Sequence, residues 1–254
     1  MISNDNKQRV LSLIHEIEKS TVKHGDNDIA IDAVCRNITA ESAELAKSND
    51  SLTPILRTAL VINRKESAMK VRYSRFRKKF PNITTLSALK QAMDSTDPSE
   101  FCKKYLDINA SSSAADNNPK YCLLRELTNG FLEYQKEHRF SSEIDALRHW
   151  SANVNPKKLK SDCIGKRHGV GPGVIGNIKL NLGERVVKPD RHAIGVMKEF
   201  LKVDISFDRY NEFAKFIGLD PRYLDCILFE YGKLNKISAQ PCAEVRPTPS
   251  KHSH

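Results

Sequence analysis

Hydrophobic residues recur along most of this chain at intervals of three and four positions. Clear runs of this kind lie at residues 10–17, 69–80 and 124–131. The spacing places the apolar side chains on one face of an α-helix, whereas the alternation that marks a half-buried strand is nearly absent. The pattern therefore predicts an all-α protein with about ten or more helices.

Capping and turn residues predict where these helices begin. Asp220 followed by Pro221 combines an N-cap with a proline at the first helical position, and Thr84 and Ser206 are further cap candidates. The predicted starts lie near Asn4, Asp28, Ser51, Glu66, Thr84, Asp97, Pro119, Ser141, Asn155, Gly171, Asp190, Ser206 and Asp220.

Two segments lack helical periodicity. Residues 107–120, DINASSSAADNNPK, are rich in Ser, Ala and Asn, which predicts a mobile surface loop. Residues 238–254 contain three prolines and no periodic apolar positions, which predicts a disordered tail.

The composition is that of a globular protein. The chain has 254 residues, 39% of them hydrophobic, and no run approaches the roughly 18 apolar residues of a membrane span. Its N-terminus, MISNDNKQRV, lacks the features of a signal peptide, so we expect an intracellular protein, either cytoplasmic and nucleoid-associated or nuclear. The six cysteines form no CxxC pair, which predicts reduced core residues rather than a zinc or iron–sulfur site.

The charge indicates an anionic partner. The net charge is +10 and the isoelectric point is about 9.3, and clustered cations displace the counterions of phosphates. A solvated helix face gives the same pattern, so charge alone leaves both interpretations open. The clusters are Arg64, Lys65, Lys70, Arg72, Arg75, Arg77, Lys78 and Lys79, and then Lys157, Lys158, Lys160, Lys166 and Arg167.

The second cluster leads into a glycine-rich stretch, GVGPG, that begins at Gly169. Gly169 and Gly171 permit backbone angles closed to other residues, and Pro172 suits the first turn of a new helix. The amides of Gly171, Gly173 and Val174 would then point out of the helix N-terminus toward a phosphate. Two alternatives stay open: a nucleotide-binding loop, which requires a preceding strand, and a purely structural turn.

Longer stretches resemble a known family. GVGPGVIGNIKL followed by VVKPDRHAIGVM resembles the helix-hairpin-helix-GPD superfamily of DNA base-excision glycosylases, which includes endonuclease III-like, adenine mismatch and alkyladenine glycosylases. ALVINRKESAMKVRYSRFRKKFPNITTLSALKQAM, residues 59–93, is similar to an early family segment, and LDCILFEYGKL, residues 224–234, resembles a closing helix. The resemblance covers roughly residues 50–235.

The resemblance implies an all-α fold of two helical lobes with double-stranded DNA bound in the cleft between them. A lobe containing the helix-hairpin-helix motif would span residues 50–183. The second lobe would combine residues 1–49 with residues 184–237. We expect such a protein to act as a monomer.

Asp190 stands where the family has its catalytic aspartate. Breaking an N-glycosidic bond leaves positive charge on the sugar, and a nearby carboxylate can stabilise that charge and help to activate water. Asp190 also suits the N-cap of the following helix, and the two roles are compatible. The implied activity is release of a damaged, mispaired or modified base.

Two departures from the family narrow that activity. Relatives that also cut the strand have a lysine where this chain has Gly173, and glycine cannot form a Schiff base, so we expect a monofunctional enzyme that leaves an abasic site. Lys179 and Lys188 keep lyase activity open. The cysteine cluster of several relatives is missing, so we expect no cofactor, apart from a structural monovalent cation that family hairpins often hold, here near residues 165–170.

The remaining site predictions concern contacts with DNA. Asn63 and Arg64 align with the turn that fills the gap left by a flipped base, although a helix C-terminal turn would give the same pattern. Candidates for backbone contact are Lys166, Arg167, Gly169, Gly171, Gly173, Val174 and Lys179. Aromatic residues that could hold the base, each also suited to the core, are Tyr121, Phe131, Tyr134 and Trp150.

Two competing functions use the same surface. A non-catalytic DNA-binding relative would keep the hairpin without cleaving, and an RNA-binding or scaffold protein would use only the basic faces. Asp190 favours the enzyme, because a carboxylate near phosphates contributes little to backbone binding.

Overall fold

The computed structural model describes residues 4–24, 27–61, 66–108, 118–184, 191–203 and 209–237. These residues are mostly helical, with twelve α-helices and one two-stranded sheet, which confirms the predicted helical class. The helices are α1 (Asn4–Lys19), α2 (Ile31–Lys47), α3 (Leu52–Val61), α4 (Glu66–Lys79), α5 (Leu86–Asp94), α6 (Pro98–Tyr105), α7 (Pro119–Glu137), α8 (Glu143–Asn153), α9 (Pro172–Asn181), α10 (Arg191–Gly195), α11 (Tyr210–Ile217) and α12 (Pro221–Leu234).

Local capping explains several of these starts. Asp220 caps α12 as predicted, because its carboxylate accepts hydrogen bonds from the amides of Arg222 (2.8 Å) and Tyr223 (3.2 Å). In α5 the cap is Thr85 rather than the predicted Thr84, and its hydroxyl accepts an amide hydrogen bond at 3.1 Å. Side-chain oxygens at these positions satisfy amides that have no partner inside the helix.

The helix predicted to start near Asp28 begins a few residues later, after a hairpin that the sequence did not predict. Thr21–His24 (β1) and Asn27–Ala30 (β2) pair as an antiparallel hairpin, and α2 begins at Ile31. Strand β2 contains no buried residue. The hydrophobic pattern could not reveal it, because only a half-buried strand alternates apolar with polar residues.

Two further starts also differ from the prediction. The one near Asn155 is a 3-10 segment, Pro156–Ser161, rather than an α-helix. Helix α11 begins at Tyr210, and Ser206, its predicted cap, lies outside the described residues. A π-helical turn, Val196–Phe200, continues α10.

The chain divides into two compact units, residues 1–39 with 187–254 and residues 40–186. The core of the first unit includes Ile14, Leu224 and Ile227. The core of the second is larger and includes Phe131 and Trp150. The two lobes predicted from the family resemblance have a DNA-binding cleft between them. That cleft stays a prediction.

The described residues also bear on smaller predictions. The five cysteines among them are free; Cys35, Cys102 and Cys226 are buried, as expected of core residues. None of the helices described is both long and apolar enough to cross a bilayer. Residues 109–117 of the predicted loop and the predicted tail, residues 238–254, lie outside the described part of the chain.

Helix α9 is fixed within the unit of residues 40–186. Asn181, at its C-terminal end, donates from Nδ2 to Thr58 Oγ1 of α3 at 3.2 Å. Gly183, just beyond α9, has a left-handed φ of +77°, and a Cβ there would lie 2.3 Å from Ser42 O and 2.4 Å from Ala46 N of α2. Only glycine allows this approach, so Gly183 holds the end of α9 against α2.

Candidate nucleic-acid interface

The glycine hairpin is organised by Asp162, which the sequence analysis did not single out. Its Oδ1 accepts hydrogen bonds from the amides of Ile164 (2.9 Å) and Gly165 (2.6 Å). The same oxygen accepts from the indole N–H of Trp150 at 3.0 Å, and that side chain is only 2% exposed. An aspartate that bonds amides two residues on is a known turn signal, so the sequence contained a clue to this role.

Removing this carboxylate should destabilise the unit of residues 40–186. Asp162→Ala is expected to lower the free energy of unfolding by about 2–4 kcal/mol, because hydrogen bonds to a charged acceptor contribute about 1.5–3 kcal/mol and the indole N–H loses its partner. Urea denaturation followed by circular dichroism measures the change. Asp94→Ala, at an exposed pair with Lys90 on α5, is the control and should lose at most about 0.5 kcal/mol. Equal losses would contradict this role for Asp162.

Of the two glycines predicted to need unusual backbone angles, Gly169 has one and Gly171 does not. Gly169 has a left-handed φ of +79°, and Gly171 is extended and precedes α9 directly, with Pro172 in the first helical turn. A Cβ at Gly171 or Gly173 would meet no atom within 4 Å, and Gly169 and Gly173 are exposed. The backbone of this turn is therefore open to a ligand.

Two of the three predicted amides are available at this turn. The Val174 amide donates to Gly171 O at 2.9 Å, so the prediction that it points at a ligand is wrong. The Val174 amide takes part in the first turn of α9, where Gly171 O also accepts a hydrogen bond from the Ile175 amide at 3.1 Å. Within the described residues, the amides of Gly171 and Gly173 have no hydrogen-bond acceptor.

The hairpin presents exposed cations next to these amides. Lys166 is exposed, as expected of a phosphate contact, and its neighbour His168 is exposed as well. Lys158 and Lys160, both in the preceding 3-10 segment, are also exposed. The exposed cations and open amides suit the sugar–phosphate backbone of a nucleic acid, because they contact phosphates without distinguishing bases.

Arg167 does not point freely into solvent. Its side chain is 18% exposed, with Nη1 3.4 Å from Glu126 Oε2 and Nη2 in contact with Glu133 Oε2, both on α7. A Cβ at Gly130 would lie 2.4 Å from Arg167 Nε, so the glycine makes room for the guanidinium. The predicted contact between Arg167 and DNA therefore requires an exchange of partners.

Lys179 is similarly engaged. Its side chain is 17% exposed, and its Nζ lies 3.7 Å from Glu184 Oε2. Glu184 in turn accepts a hydrogen bond from the buried Ser151 hydroxyl. The surroundings of Lys179 favour a structural ion pair over an open phosphate contact.

The cationic run on α4 is partly neutralised. The sequence places only Glu66 near these residues, but the fold brings acids from other elements to them. The run therefore has less capacity for phosphates than its composition indicates. The pairs are Arg75 with Asp107 (2.7 Å), Arg77 with Asp50 (3.0 Å) and Lys70 with Glu41 (3.0 Å).

The aromatic residues considered for a base pocket lie in the core. All four are buried in the unit of residues 40–186: Tyr121, Phe131, Tyr134 and Trp150. Cys163, beside Asp162, is half-buried, and burial raises the pKa of its thiol. A protonated thiol is a poor nucleophile, so Cys163 adds no reactive group to the hairpin.

Three of the predicted site residues lie outside the described residues: Asn63, Arg64 and Asp190. Their roles stay predictions. The described ranges contain no group of three or more His, Cys, Asp and Glu side chains that could hold a metal ion. The monovalent cation expected near residues 165–170 also stays a prediction.

Comparison of the chain with protein families, curated proteins and solved structures finds no match. The resemblance to glycosylases therefore depends on the residues quoted above.

The helix that follows Asp190 in sequence is held firmly within its own unit. Its first residue is Arg191, and His192 Nδ1 lies 2.8 Å from Ile237 O. A Cβ at Gly232 of α12 would lie 2.9 Å from His192 O, so α10 and α12 approach closely. Asp190 is thus the residue directly before a short helix that is packed and hydrogen-bonded.

Proposed function

We propose that the protein is a monofunctional DNA glycosylase. It would hydrolyse the N-glycosidic bond of a damaged, mispaired or modified base that is flipped out of duplex DNA, leaving an abasic site. The hairpin of residues 162–173 would bind phosphates, and Asp190 would act on the deoxyribose. The enzyme would work inside the cell as a monomer and without a cofactor.

The turn from Gly169 to Gly173 is the observation on which this proposal mainly depends. It combines a left-handed glycine, two amides without acceptors among the described residues and an exposed lysine, Lys166. A nucleotide-binding loop would need a strand before it, whereas a 3-10 segment and turns precede this one. A purely structural turn has no need of open amides beside exposed cations.

The proposed reaction needs one carboxylate and one water molecule. The bond between C1′ and the base nitrogen breaks, and its electron pair leaves with the base. Positive charge develops on C1′ and the ring oxygen, where the Asp190 carboxylate stabilises it. Water then adds to C1′, and Asp190 accepts the proton that finally neutralises the departed base. The products are a free base and an abasic sugar with a hydroxyl at C1′.

Direct assay for abasic sites tests the proposal. The protein is incubated with duplexes that each contain one lesion or modified base, and the strands are then treated with alkali or heat. Breaks that appear only after this treatment, with at least one duplex of the panel, would support the proposal. Binding to the duplexes with no base release from any of them would favour the non-catalytic DNA-binding alternative.

Gly173 predicts the absence of a covalent intermediate. Borohydride reduction of the protein with an abasic duplex should trap no complex on a denaturing gel, because a Schiff base requires an amine and position 173 has none. Lys179→Ala is the informative companion variant. A trapped complex that disappears in this variant would contradict the monofunctional assignment and name the lysine responsible.

A further inference from the structure

Arg167 lies between two glutamates that differ in their exposure to solvent. Nη1 is 3.4 Å from Glu126, whose side chain is 30% exposed, and Nη2 contacts Glu133, whose side chain is 60% exposed. The guanidinium therefore has an inner partner and an outer partner. The outer one is the more accessible to a ligand from solvent.

The stem of the Arg167 side chain is fixed, whereas its outer partner, Glu133, is exposed. Its Nε is buried and has no hydrogen-bond partner in the described part of the chain. Gly130 lies against it, since a Cβ there would be 2.4 Å from Nε and 2.8 Å from Cδ. The guanidinium can exchange the partner of Nη2 without leaving its place.

We propose that Glu133 is a competitor for DNA phosphate. In the free protein its carboxylate occupies Arg167 Nη2, and a backbone phosphate takes that position when duplex DNA binds the hairpin. Glu126 keeps Nη1, and the Glu133 side chain turns into solvent. This inference rests on the proposed function, because it assigns the phosphates to the hairpin that contains Arg167.

The chemistry of the three groups favours such an exchange. Guanidinium groups bind phosphate and carboxylate in the same planar geometry, so one anion can substitute for the other. Lys166, the neighbour of Arg167 in the chain, is exposed and attracts the phosphate to this surface. The carboxylate of Glu133 repels it until the exchange occurs. Glu133 therefore lowers the affinity of the hairpin for any duplex, whatever its sequence.

Binding of an undamaged, fluorescently labelled duplex tests this role without knowledge of the lesion. Wild-type protein and Glu133→Gln are titrated with the duplex by anisotropy at several salt concentrations. Glu133→Gln should bind about 1.4- to fivefold more tightly, because an exposed ion pair contributes about 0.2–1 kcal/mol. Adding Arg167→Gln to Glu133→Gln should remove the gain and reduce the slope of log K against log salt by about 0.9, the value for one phosphate.

Glu137→Gln is the matched control. Glu137 is exposed on the same helix, its replacement changes the net charge equally, and no contact with Arg167 is found for it. It should tighten binding less than Glu133→Gln does. Equal gains in the two variants, or no gain in Glu133→Gln, would overturn the exchange and leave the proposed function intact. Failure of the wild-type protein to bind duplex DNA would overturn both.

Discussion

Asp190→Asn is expected to stop base release while the protein still binds DNA. Asparagine preserves the size of the side chain and an acceptor oxygen. It removes the negative charge that stabilises the positive sugar, and it cannot accept a proton from water as the carboxylate does. Electrostatic and general-base contributions of this kind are each about a hundredfold or more, so the loss of both should lower the rate about ten-thousandfold. A single-turnover assay on a duplex from which the wild type releases a base measures the rate.

Binding to the same duplex separates chemistry from recognition. The affinity of Asp190→Asn should be equal to that of the wild type or higher, because a carboxylate near phosphates is repulsive. Asp28→Asn, at an exposed position of β2, makes the same change in charge and should keep the full rate of base release. An Asp190→Asn variant that releases the base at the wild-type rate would remove the proposed catalytic group.

Gly183→Ala is expected to cause a large loss of stability. The residue has a φ of +77°, and the added Cβ would lie 2.3 Å from Ser42 O and 2.4 Å from Ala46 N, which are backbone atoms that cannot rotate away. We expect a loss of at least about 3 kcal/mol in the free energy of unfolding, because backbone strain and a steric clash add together. Urea denaturation measures this loss.

Gly169→Ala is the matched control for Gly183→Ala. Both glycines have a left-handed φ in the same unit, but a Cβ at Gly169 would meet only Leu123 Cδ1, at an ordinary 3.6 Å. Gly169→Ala should lower the free energy of unfolding by about 1–2 kcal/mol, which is the cost of the backbone conformation alone. The difference between the two variants isolates the close approach of Gly183 to α2. If both lose the same amount, α2 is not held through that contact.

The sequence predicted the helical elements more accurately than the electrostatics of their surfaces. Starts at Asn4, Glu66 and Pro119 agree with the structure, because apolar spacing and local caps are properties of short segments. The β1–β2 hairpin was missed because a polar, exposed strand has no apolar alternation. The structure has a 3-10 segment, Pro156–Ser161, in place of the α-helix predicted near Asn155, and Asp162 directly after it accepts a hydrogen bond from the Trp150 indole.

The sequence could not predict which arginines are paired with an acid, because the partners are distant in sequence. Arg167 follows Glu126 and Glu133 by a whole helix and a turn, and only the packed fold brings them together. Arg75 and Asp107 are a similar case on α4. By contrast, the left-handed conformation of Gly169 was predictable, since the GVGPG pattern requires it locally.

Trp150 gives the hairpin an optical reporter of its own. It is the single tryptophan of the chain, its ring is edge-on to Phe131 with centroids 5.0 Å apart, and its indole donates to the Asp162 carboxylate. Emission from this one chromophore therefore monitors the turn that leads to Gly169 without a label. Changes in the wavelength and intensity of Trp150 emission when a polynucleotide is added would show whether the turn changes conformation on binding.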